Sequence, residues 1–262
     1  MVVRGKSGGG MSGGGKPRGR QRLDQALVER GLVESRARAQ ALVMAGQVFS
    51  GERRLDKPGM PVAGDMALEL RGQDHPWVSR GGLKLAHAID RFGIDPGGRT
   101  CLDIGASTGG FTDVLLAHGA ARVYAVDVGR AQLAWKLRED DRVVVLEGVN
   151  ARHLTAEQVP EPVDLLVCDA SFIGLRTLLP APLALVRSPG ELAVLVKPQF
   201  EAGRERVGKG GVVRDPAVHE EVCATIADWL AVQDGWTVSG IEPSPITGPQ
   251  GNREFLLHGR KA

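Results

Sequence analysis

The sequence predicts an α/β fold in which a largely parallel sheet, with helices on both faces, follows a small α+β unit. Two observations lead to this prediction. From residue 100 onwards, short apolar runs typical of strands alternate with segments of helical periodicity. Before that point, residues 21–72 hold two short helical patterns and a few strand-like pieces, which are too few to form the main core. Repeated strand–helix–strand units indicate a parallel sheet with helices on both faces.

The small unit contains two predicted helices. The first runs from Leu23 to a stop at Gly31, and the second runs from Ser35, a good N-cap, to a stop at Gly46. Strand-like pieces follow at residues 47–49 and 66–70. A polar stretch, residues 73–82, is the predicted linker to the larger unit at residues 83–262.

The larger unit is predicted from apolar runs separated by helical patterns. The strands are expected at Thr100–Ile104, Arg122–Val128, Arg142–Glu147, Asp164–Asp169, Glu191–Lys197, Trp236–Ile241 and Arg253–His258. The helices are expected at Leu83–Phe92, Gly110–Leu116, Arg130–Arg138 and Ala217–Val232. In such sheets, ligands bind beyond the carboxyl ends of the strands, where the strand order reverses.

Charge is unevenly distributed along the chain. The formal net charge is only +2, but residues 1–40 carry nine Lys and Arg against three Asp and Glu. A local basic patch matters more for phosphate contact than the overall sum. Residues 1–20 are rich in glycine and contain neither acids nor aromatics, so they are expected to form a disordered basic tail.

Several classes of protein are disfavoured by composition. The three cysteines are far apart, with no Cys-x-x-Cys pair, which predicts a reduced cytoplasmic protein without a metal. No stretch approaches the roughly 18 apolar residues that would span a bilayer, and no apolar segment follows the first basic residues as in a secretory signal. We therefore expect a cytoplasmic, monomeric protein with no membrane partner.

A glycine-rich turn follows the first core strand, where nucleotides are commonly recognised. The turn spans residues 105–110. A phosphate-binding P-loop needs a lysine where Phe111 stands, and a dinucleotide fingerprint needs a glycine where Ser107 stands. Both of these ligand classes are therefore disfavoured.

S-adenosylmethionine fits this turn better, because it has an amino-acid end, a ribose and a sulfonium but no phosphate. The small residues of the turn would let its methionine part pass, and Asp103 would meet its amino group directly or through water. Asp127, at the end of the second strand, would accept hydrogen bonds from the ribose hydroxyls, and Asn150 would read the adenine edge. The predicted cofactor residues are Asp103, Gly105, Ala106, Ser107, Gly109, Gly110, Phe111, Asp127, Val128, Asn150 and Asp169.

The end of the fourth strand bears on which atom is methylated. Enzymes that methylate base amino groups typically have prolines after the acid there, and none follows Asp169. Cys168 raises a second alternative, attack on a pyrimidine ring through a thiolate. Because strand side chains alternate between faces, Cys168 is expected to pack in the core if Asp169 faces the site.

Three further charged residues stand where a packed sheet rarely tolerates them: Lys84, Lys197 and Glu254. Residues 80–258 resemble the FtsJ-like 2′-O-ribose methyltransferases, whose Lys-Asp-Lys-Glu tetrad matches Lys84, Asp169, Lys197 and Glu254 in order and context. The front segment, with SRARAQAL at residues 35–42 and GQVFSG at 46–51, resembles the RNA-binding domain of the ribosomal protein S-four type. Together with HPWVSRGG at 75–82 and KPQFE at 197–201, the chain is similar to the haemolysin A-type (TlyA) family over nearly its whole length.

This resemblance implies a Rossmann-like methyltransferase sheet that uses S-adenosylmethionine. It also implies ribose methylation of cytidine in 16S and/or 23S ribosomal RNA, within assembled subunits. A ribose hydroxyl is a poor nucleophile, so it must be oriented and relieved of its proton as the methyl moves in line. Lys197 is the candidate base, which requires a pKa well below the usual value of about 10.4. The alternative, in which the tetrad orients the hydroxyl and water takes the proton, stays open.

Basic residues at two places would contact RNA phosphates. One group lies in the small unit and the other near the active site, in a segment whose glycine content is typical of a mobile loop. The predicted RNA-binding residues are Arg20, Arg22, Arg36, Arg38, Arg80, Arg204, Arg206 and Lys209. Phosphate contacts carry little sequence information, so the target is expected to be chosen by RNA shape.

Overall fold

The structure is a computed structural model that describes residues 20–33, 35–71 and 75–262. The chain divides into two compact units, one ending at Pro76 and the other beginning at Trp77. Most of the predicted basic tail, residues 1–19, and residues 73 and 74 of the predicted linker lie outside the described residues.

The first unit is a small α+β fold. Its elements in chain order are β1 (Gln21–Arg22), α1 (Leu23–Glu29), α2 (Arg36–Met44), β2 (Val48–Ser50), β3 (Arg53–Arg54), β4 (Pro61–Val62) and β5 (Glu69–Leu70). Strand β2 pairs with β3 and β5, and β1 pairs with β4, all antiparallel. As predicted, Ser35 caps α2, because its hydroxyl accepts a hydrogen bond from the Arg38 N–H at 3.2 Å. The two helices bury leucine, alanine and valine side chains in one core.

A buried acid ties the helices of this unit together. Asp24 is fully buried and accepts hydrogen bonds from Arg22, from Arg36 at 2.9 Å and from Gln40 at 2.9 Å. The Arg22 guanidinium in particular holds the pKa of this carboxyl well below its usual range. Arg22 and Arg36, both predicted to bind RNA, therefore also stabilise the fold.

The second unit is built on a seven-stranded sheet. Its strands are β6 (Thr100–Ile104), β7 (Arg122–Asp127), β8 (Val143–Glu147), β9 (Val163–Cys168), β10 (Val186–Val196), β11 (Trp236–Pro243) and β12 (Phe255–Lys261). The spatial order is β11-β12-β10-β9-β6-β7-β8, in which β12 runs antiparallel to its neighbours. The strand order reverses between β6 and β9, so the carboxyl ends of these two strands form the expected crevice.

Helices cover both faces of this sheet. They are α3 (Gly81–Phe92), α4 (Gly110–Ala117), α5 (Trp135–Arg138), α6 (Leu175–Leu178), α7 (Pro180–Leu185), α8 (Pro198–Glu201) and α9 (Pro216–Ala231). Alternate residues of each strand enter two separate cores, as Leu102 and Cys101 of β6 do. Among the described residues, no helix has the length and apolarity to cross a membrane.

The boundaries of several elements differ from those predicted. The helix expected at Arg130–Arg138 is only α5, because the Glu147 carboxylate binds the N–H groups of residues 131–133 and holds them outside a helix. Helices α6 and α7 were not predicted from the sequence, because Pro180 and Pro182 interrupt the apolar pattern there. Strand β12 begins at Phe255, two residues later than predicted, so Glu254 precedes the strand.

Replacing Asp24 with asparagine is expected to loosen the first unit. The free energy of its unfolding should fall by about 2 kcal/mol, a typical value for hydrogen bonds to a charged group, because Arg22 and Arg36 lose their carboxylate. Since folding lowers the pKa of Asp24, this contribution is present above the unfolded-state pKa and is lost only as pH falls through the lower folded-state value.

Amide hydrogen exchange of residues 20–71 is the suitable measurement, because all four tryptophans lie in the second unit. The matched control is Asp56→Asn, since Asp56 is exposed on the same unit. Equal protection in the two variants would contradict the role given to Asp24.

Candidate functional site

A cavity of about 470 Å³ opens at the carboxyl ends of β6, β7 and β9. Its apolar lining includes Ile104, Val126, Val128 and Val149, and its polar lining includes Ser107, Asp127, Gln132, Asn150 and Asp169. A concave, mostly apolar pocket with a few placed polar groups is typical of a cofactor site. We call it the cofactor cavity.

The turn after β6 depends on glycine at two positions. The Gly105 φ angle is +80°, and a Cβ there would lie 2.9 Å from the backbone of Ala170 beyond β9. The Gly109 φ angle is +96°, and a Cβ there would lie 2.2 Å from Leu137 of α5. The approach at Gly105 brings the ends of β6 and β9 together, and the approach at Gly109 lets α5 pack against the turn.

The predicted cofactor residues fall into two groups. Those that line the cavity are Gly105, Ser107, Asp127, Val128, Asn150 and Asp169. Those that are not part of the lining are Asp103, Ala106, Gly109, Gly110 and Phe111. For Gly109 this changes the expected role, because its missing side chain makes room for Leu137 and not for methionine. The space beside Gly110 is likewise taken by Ser79 and the Gly82 backbone.

Asp103 lies beneath the turn and is completely buried. One of its oxygens accepts a hydrogen bond from the Thr112 hydroxyl at 2.6 Å, while Oδ1 has no partner among the described residues. Burial raises the pKa of Asp103 to about 7 despite the Thr112 hydrogen bond, and the charge of Asp169 contributes to this rise. Asp103 is not part of the cavity lining, and its contact with the amino group of the cofactor, directly or through water, stays a prediction.

Asp127 fixes the rim of the cavity. Its Oδ2 accepts a hydrogen bond from the Ser107 N–H at 2.9 Å, and its Oδ1 accepts one from the Gly129 N–H at 2.7 Å. A carboxylate has about four acceptor positions, so each oxygen keeps capacity for a ligand hydroxyl.

Glu147 orders the neighbouring loop, a role that its sequence position did not reveal. Its carboxylate accepts hydrogen bonds from three consecutive N–H groups, those of Ala131, Gln132 and Leu133, and pairs with Arg138. Burial opposes ionisation, but Arg138 and these N–H donors outweigh it and lower the pKa of Glu147 to about 2. The loop thereby presents Gln132 to the cavity.

Four charged side chains converge beside the cofactor cavity, and all four were singled out from the sequence. Lys84 of α3 donates hydrogen bonds to Glu254 at 2.7 Å and to Asp169 Oδ2 at 3.1 Å. Lys197, which follows β10, lies 2.7 Å from Asp169 Oδ1. Asp169 therefore bridges the two lysines, and we call the four residues the charged cluster.

The charges of this cluster are mutually compensated. Lys84, Lys197 and Glu254 are buried, and Asp169 is partly buried. Burial alone would lower the pKa of Lys84, but the negative charges of Asp169 and Glu254 outweigh it and raise the pKa. Lys84 is thus a cation that pairs with two carboxylates. Only one oxygen of Glu254 takes part, since its Oε1 has no hydrogen-bond partner among the described residues.

A second cavity, of about 310 Å³, adjoins the first. Its lining residues are Ser171, Phe172, Gln199, Phe200, Val207, Gly211, Gln250 and Asn252. Phe172 has a φ angle of +68° and is 91% exposed, and its ring centroid lies 5.3 Å from that of Phe200. This aromatic pair is not evident from the sequence, because only the tertiary structure brings Phe172 and Phe200 together. We call this space the aromatic cavity.

The glycine-rich segment after α8 is tied down at several points. Arg206 forms a two-point ion pair with Glu221 of α9, Gly208 pairs with Val212, and the Asn252 side chain binds Gly211 O and Val213 N. Arg204, Arg206 and Lys209 are exposed on it. In the described residues, no group of three or more His, Cys, Asp and Glu side chains is arranged to hold a metal ion.

Comparison with known proteins identifies both units. Residues 77–261 match the FtsJ-like methyltransferases, and residues 21–68 match the S4 domain. The chain is 48% identical over 239 residues to the 16S/23S rRNA (cytidine-2′-O)-methyltransferase TlyA of Mycobacterium tuberculosis (91% of this chain, 89% of that one). It is 35% identical over 190 residues to the 23S rRNA (cytidine-2′-O)-methyltransferase TlyA of Campylobacter jejuni, which is 70% of each chain.

A solved structure supports the same assignment. A protein described as a hemolysin from Streptococcus thermophilus is 44% identical and superposes with a TM-score of 0.73, over 93% of this chain and 89% of that one. The predicted α/β fold with its preceding RNA-binding domain is therefore confirmed. The chain belongs to the TlyA group of the FtsJ-like methyltransferases, enzymes that take their methyl group from S-adenosylmethionine.

Proposed function

We propose that this enzyme methylates the 2′-hydroxyl of a cytidine ribose in 16S and/or 23S ribosomal RNA, within assembled subunits. The substrate class follows from the names of the TlyA relatives. The observation that carries the chemistry is the charged cluster at the border of the cofactor cavity, where Lys84, Asp169, Lys197 and Glu254 meet. Buried, paired charges beside a cavity are typical of catalytic sites.

The cofactor cavity fits S-adenosylmethionine. Asp127 would hold the ribose hydroxyls, and Asn150 would read the adenine between the apolar side chains of Val128 and Val149. The backbone at Gly105 and Ser107 would border the methionine part, with Asp169 close by. When bound, S-adenosylmethionine supplies an electrophilic methyl group on a sulfonium.

The charged cluster would prepare the acceptor hydroxyl. Lys197 is the candidate group to contact the 2′-oxygen, because it carries the cluster's second ammonium and hydrogen bonds to Ser171 at the cavity border. Lys84 stays protonated between Asp169 and Glu254 and fixes the Asp169 carboxylate that orients Lys197. Such orientation favours an in-line approach of the oxygen. As an ammonium, Lys197 donates to the oxygen and the hydroxyl proton leaves to water; only the neutral amine form of Lys197 could take that proton itself.

The aromatic cavity would receive the target nucleotide. Sequence-specific RNA recognition generally uses bases that are splayed out and stacked on aromatic side chains. Phe172 and Phe200 offer such a surface directly beside Ser171, which also borders the cofactor cavity. A nucleotide stacked there would bring its ribose towards the charged cluster.

Basic residues in both units would bind RNA phosphates. In the S4 domain these are Arg20, Arg22, Arg36 and Arg38, and in the methyltransferase unit they are Arg80, Arg204, Arg206 and Lys209. Arg22, Arg36 and Arg206 already pair with acids, so their net contribution to the RNA surface is reduced. Contacts of this kind give salt-sensitive binding that positions the RNA without reading its sequence.

The direct test uses each isolated ribosomal subunit and radiolabelled S-adenosylmethionine. Transferred methyl groups should protect one RNA linkage from alkaline cleavage, because the 2′-hydroxyl is the group that attacks the phosphate. Mapping of the protected linkage would identify the nucleotide. Labelled RNA in which every linkage stays alkali-sensitive would show methylation of a base and would refute the proposal.

Replacing Lys197 with alanine should abolish turnover and spare binding. We expect kcat to fall by about 100-fold or more, the scale of general acid–base and orienting effects. Binding of S-adenosylhomocysteine and of subunits, measured by calorimetry and filter retention, should change little. The control is Lys261→Ala, at the opposite end of the sheet. Unchanged kcat in the Lys197 variant would remove this residue from the mechanism.

Attack by a Cys168 thiolate has lost its support. Cys168 is fully buried in the core on the sheet face opposite Val167, as the alternation of strand side chains predicts. Burial raises the pKa of this thiol to about 12, so it is protonated at neutral pH. A thiolate nucleophile would need to be accessible to the substrate and to have a lowered pKa.

The Cys168→Ala variant should therefore keep its methyltransferase activity. We expect kcat/KM within about threefold of wild type, together with a loss of about 1 kcal/mol in the free energy of unfolding from the small cavity created. Activity assays and chemical denaturation measure the two effects. A folded Cys168→Ala protein without activity would reinstate base methylation.

A further inference from the structure

Three oxygens surround the ammonium of Lys197, one through an ion pair and two through hydrogen bonds. Its Nζ lies 2.7 Å from Asp169 Oδ1, 3.1 Å from the Asp169 backbone oxygen and 2.9 Å from Ser171 Oγ. A lysine ammonium has three N–H donors and no acceptor. The ion pair and the two hydrogen bonds surround the ammonium, so a substrate hydroxyl can approach Lys197 closely only after one of these oxygens is displaced.

The three oxygens differ in how easily they can be exchanged. Asp169 Oδ1 belongs to a carboxylate, and its ion pair with the ammonium joins two opposite charges in a partly buried place, which a neutral hydroxyl cannot replace at equal free energy. The Asp169 carbonyl is fixed by the backbone at the end of β9. Ser171 is an exposed residue with a neutral hydroxyl that can rotate. Its hydrogen bond to Lys197 is the one that an incoming hydroxyl can replace at the lowest cost.

Ser171 also occupies the relevant place. It lines both the cofactor cavity and the aromatic cavity, and Phe172 is the other residue that these two linings share. An oxygen that receives a methyl group from one cavity while its nucleoside lies in the other must sit at this border. The Ser171 hydroxyl lies at this border and already accepts a hydrogen bond from Lys197.

We propose that Ser171 is a positioning residue for the methyl transfer. Its hydroxyl holds the Lys197 ammonium towards the border of the two cavities and marks the place of the ribose 2′-oxygen, which replaces it as the acceptor of Lys197. This inference rests on the proposed function and extends it to a residue outside the Lys-Asp-Lys-Glu tetrad. Ser171 acts through Lys197 and needs no contact of its own with the methyl group.

The Ser171→Ala variant tests this role through the division between kcat and KM. Without Ser171, the ammonium keeps its Asp169 acceptors and is free to turn from the border. We expect kcat to fall about tenfold, the scale of one hydrogen bond to a charged group, while KM for the ribosomal subunit and the affinity for S-adenosylhomocysteine stay within about twofold. Ser239→Ala, on the exposed edge strand β11, is the matched control and should behave as wild type.

A second pair of variants separates the hydroxyl from the size of the side chain. Threonine and valine have nearly the same shape, but only threonine keeps the hydroxyl. Ser171→Thr should retain kcat within about threefold of wild type, whereas Ser171→Val should lose as much as Ser171→Ala. Because this comparison needs only folded Thr and Val variants, it holds even if the alanine variant is unstable.

Three outcomes would overturn the proposal: a kcat for Ser171→Ala within about twofold of wild type, a change confined to KM or to cofactor affinity, or equal losses in the Thr and Val variants. The proposed function is judged separately, on the wild-type enzyme. If wild type forms no alkali-resistant linkage, ribose methylation itself fails. If wild type forms it and the Ser171 variants match wild type, only the role of Ser171 fails.

Discussion

The ion pairs of Lys84 with Glu254 and Asp169 are the interaction on which the site depends. They connect α3, the end of β9 and the start of β12, which come from distant parts of the chain. Removing one partner of a buried ion pair typically costs about 3–5 kcal/mol, because an uncompensated charge stays behind. Apolar side chains could fill the same space without any buried charge that needs a partner. Four charges beside a ligand cavity are what the proposed chemistry requires, in which Asp169 is held in place to orient Lys197.

Two other carboxylates in the chain also hold several donors at once. Glu147 binds three backbone N–H groups and shapes the rim of the cofactor cavity, and Asp24 ties Arg22 and Arg36 to the core of the S4 domain. In each case a carboxylate with several donors is ionised more readily than usual. These acids give local rigidity to surfaces that would bind ligands, at the expense of part of the positive charge available for RNA.

Periodicity and strand-end position were enough to predict much of this architecture. The sheet and the turn at Gly105 follow from apolar runs and from the residues at strand ends, whereas the grouping of Lys84, Asp169, Lys197 and Glu254 was implied by the family resemblance. The roles of Glu147 and Ser171 could not be predicted in this way, because they depend on loop conformations that bring residues far apart in sequence into contact. For Gly109, the sequence showed that a small residue is required but not which neighbour requires it. Only the packing of Leu137 answers that question.

The most direct test of this account is a structure of the enzyme with S-adenosylhomocysteine and its ribosomal substrate, in which the distance from Lys197 Nζ to the target 2′-oxygen is measured. The account predicts a hydrogen-bonded distance of about 3 Å, with that oxygen at the border of the two cavities and facing the cofactor sulfur. A complex in which the charged cluster contacts no ribose hydroxyl, and a base atom faces the sulfur instead, would contradict it.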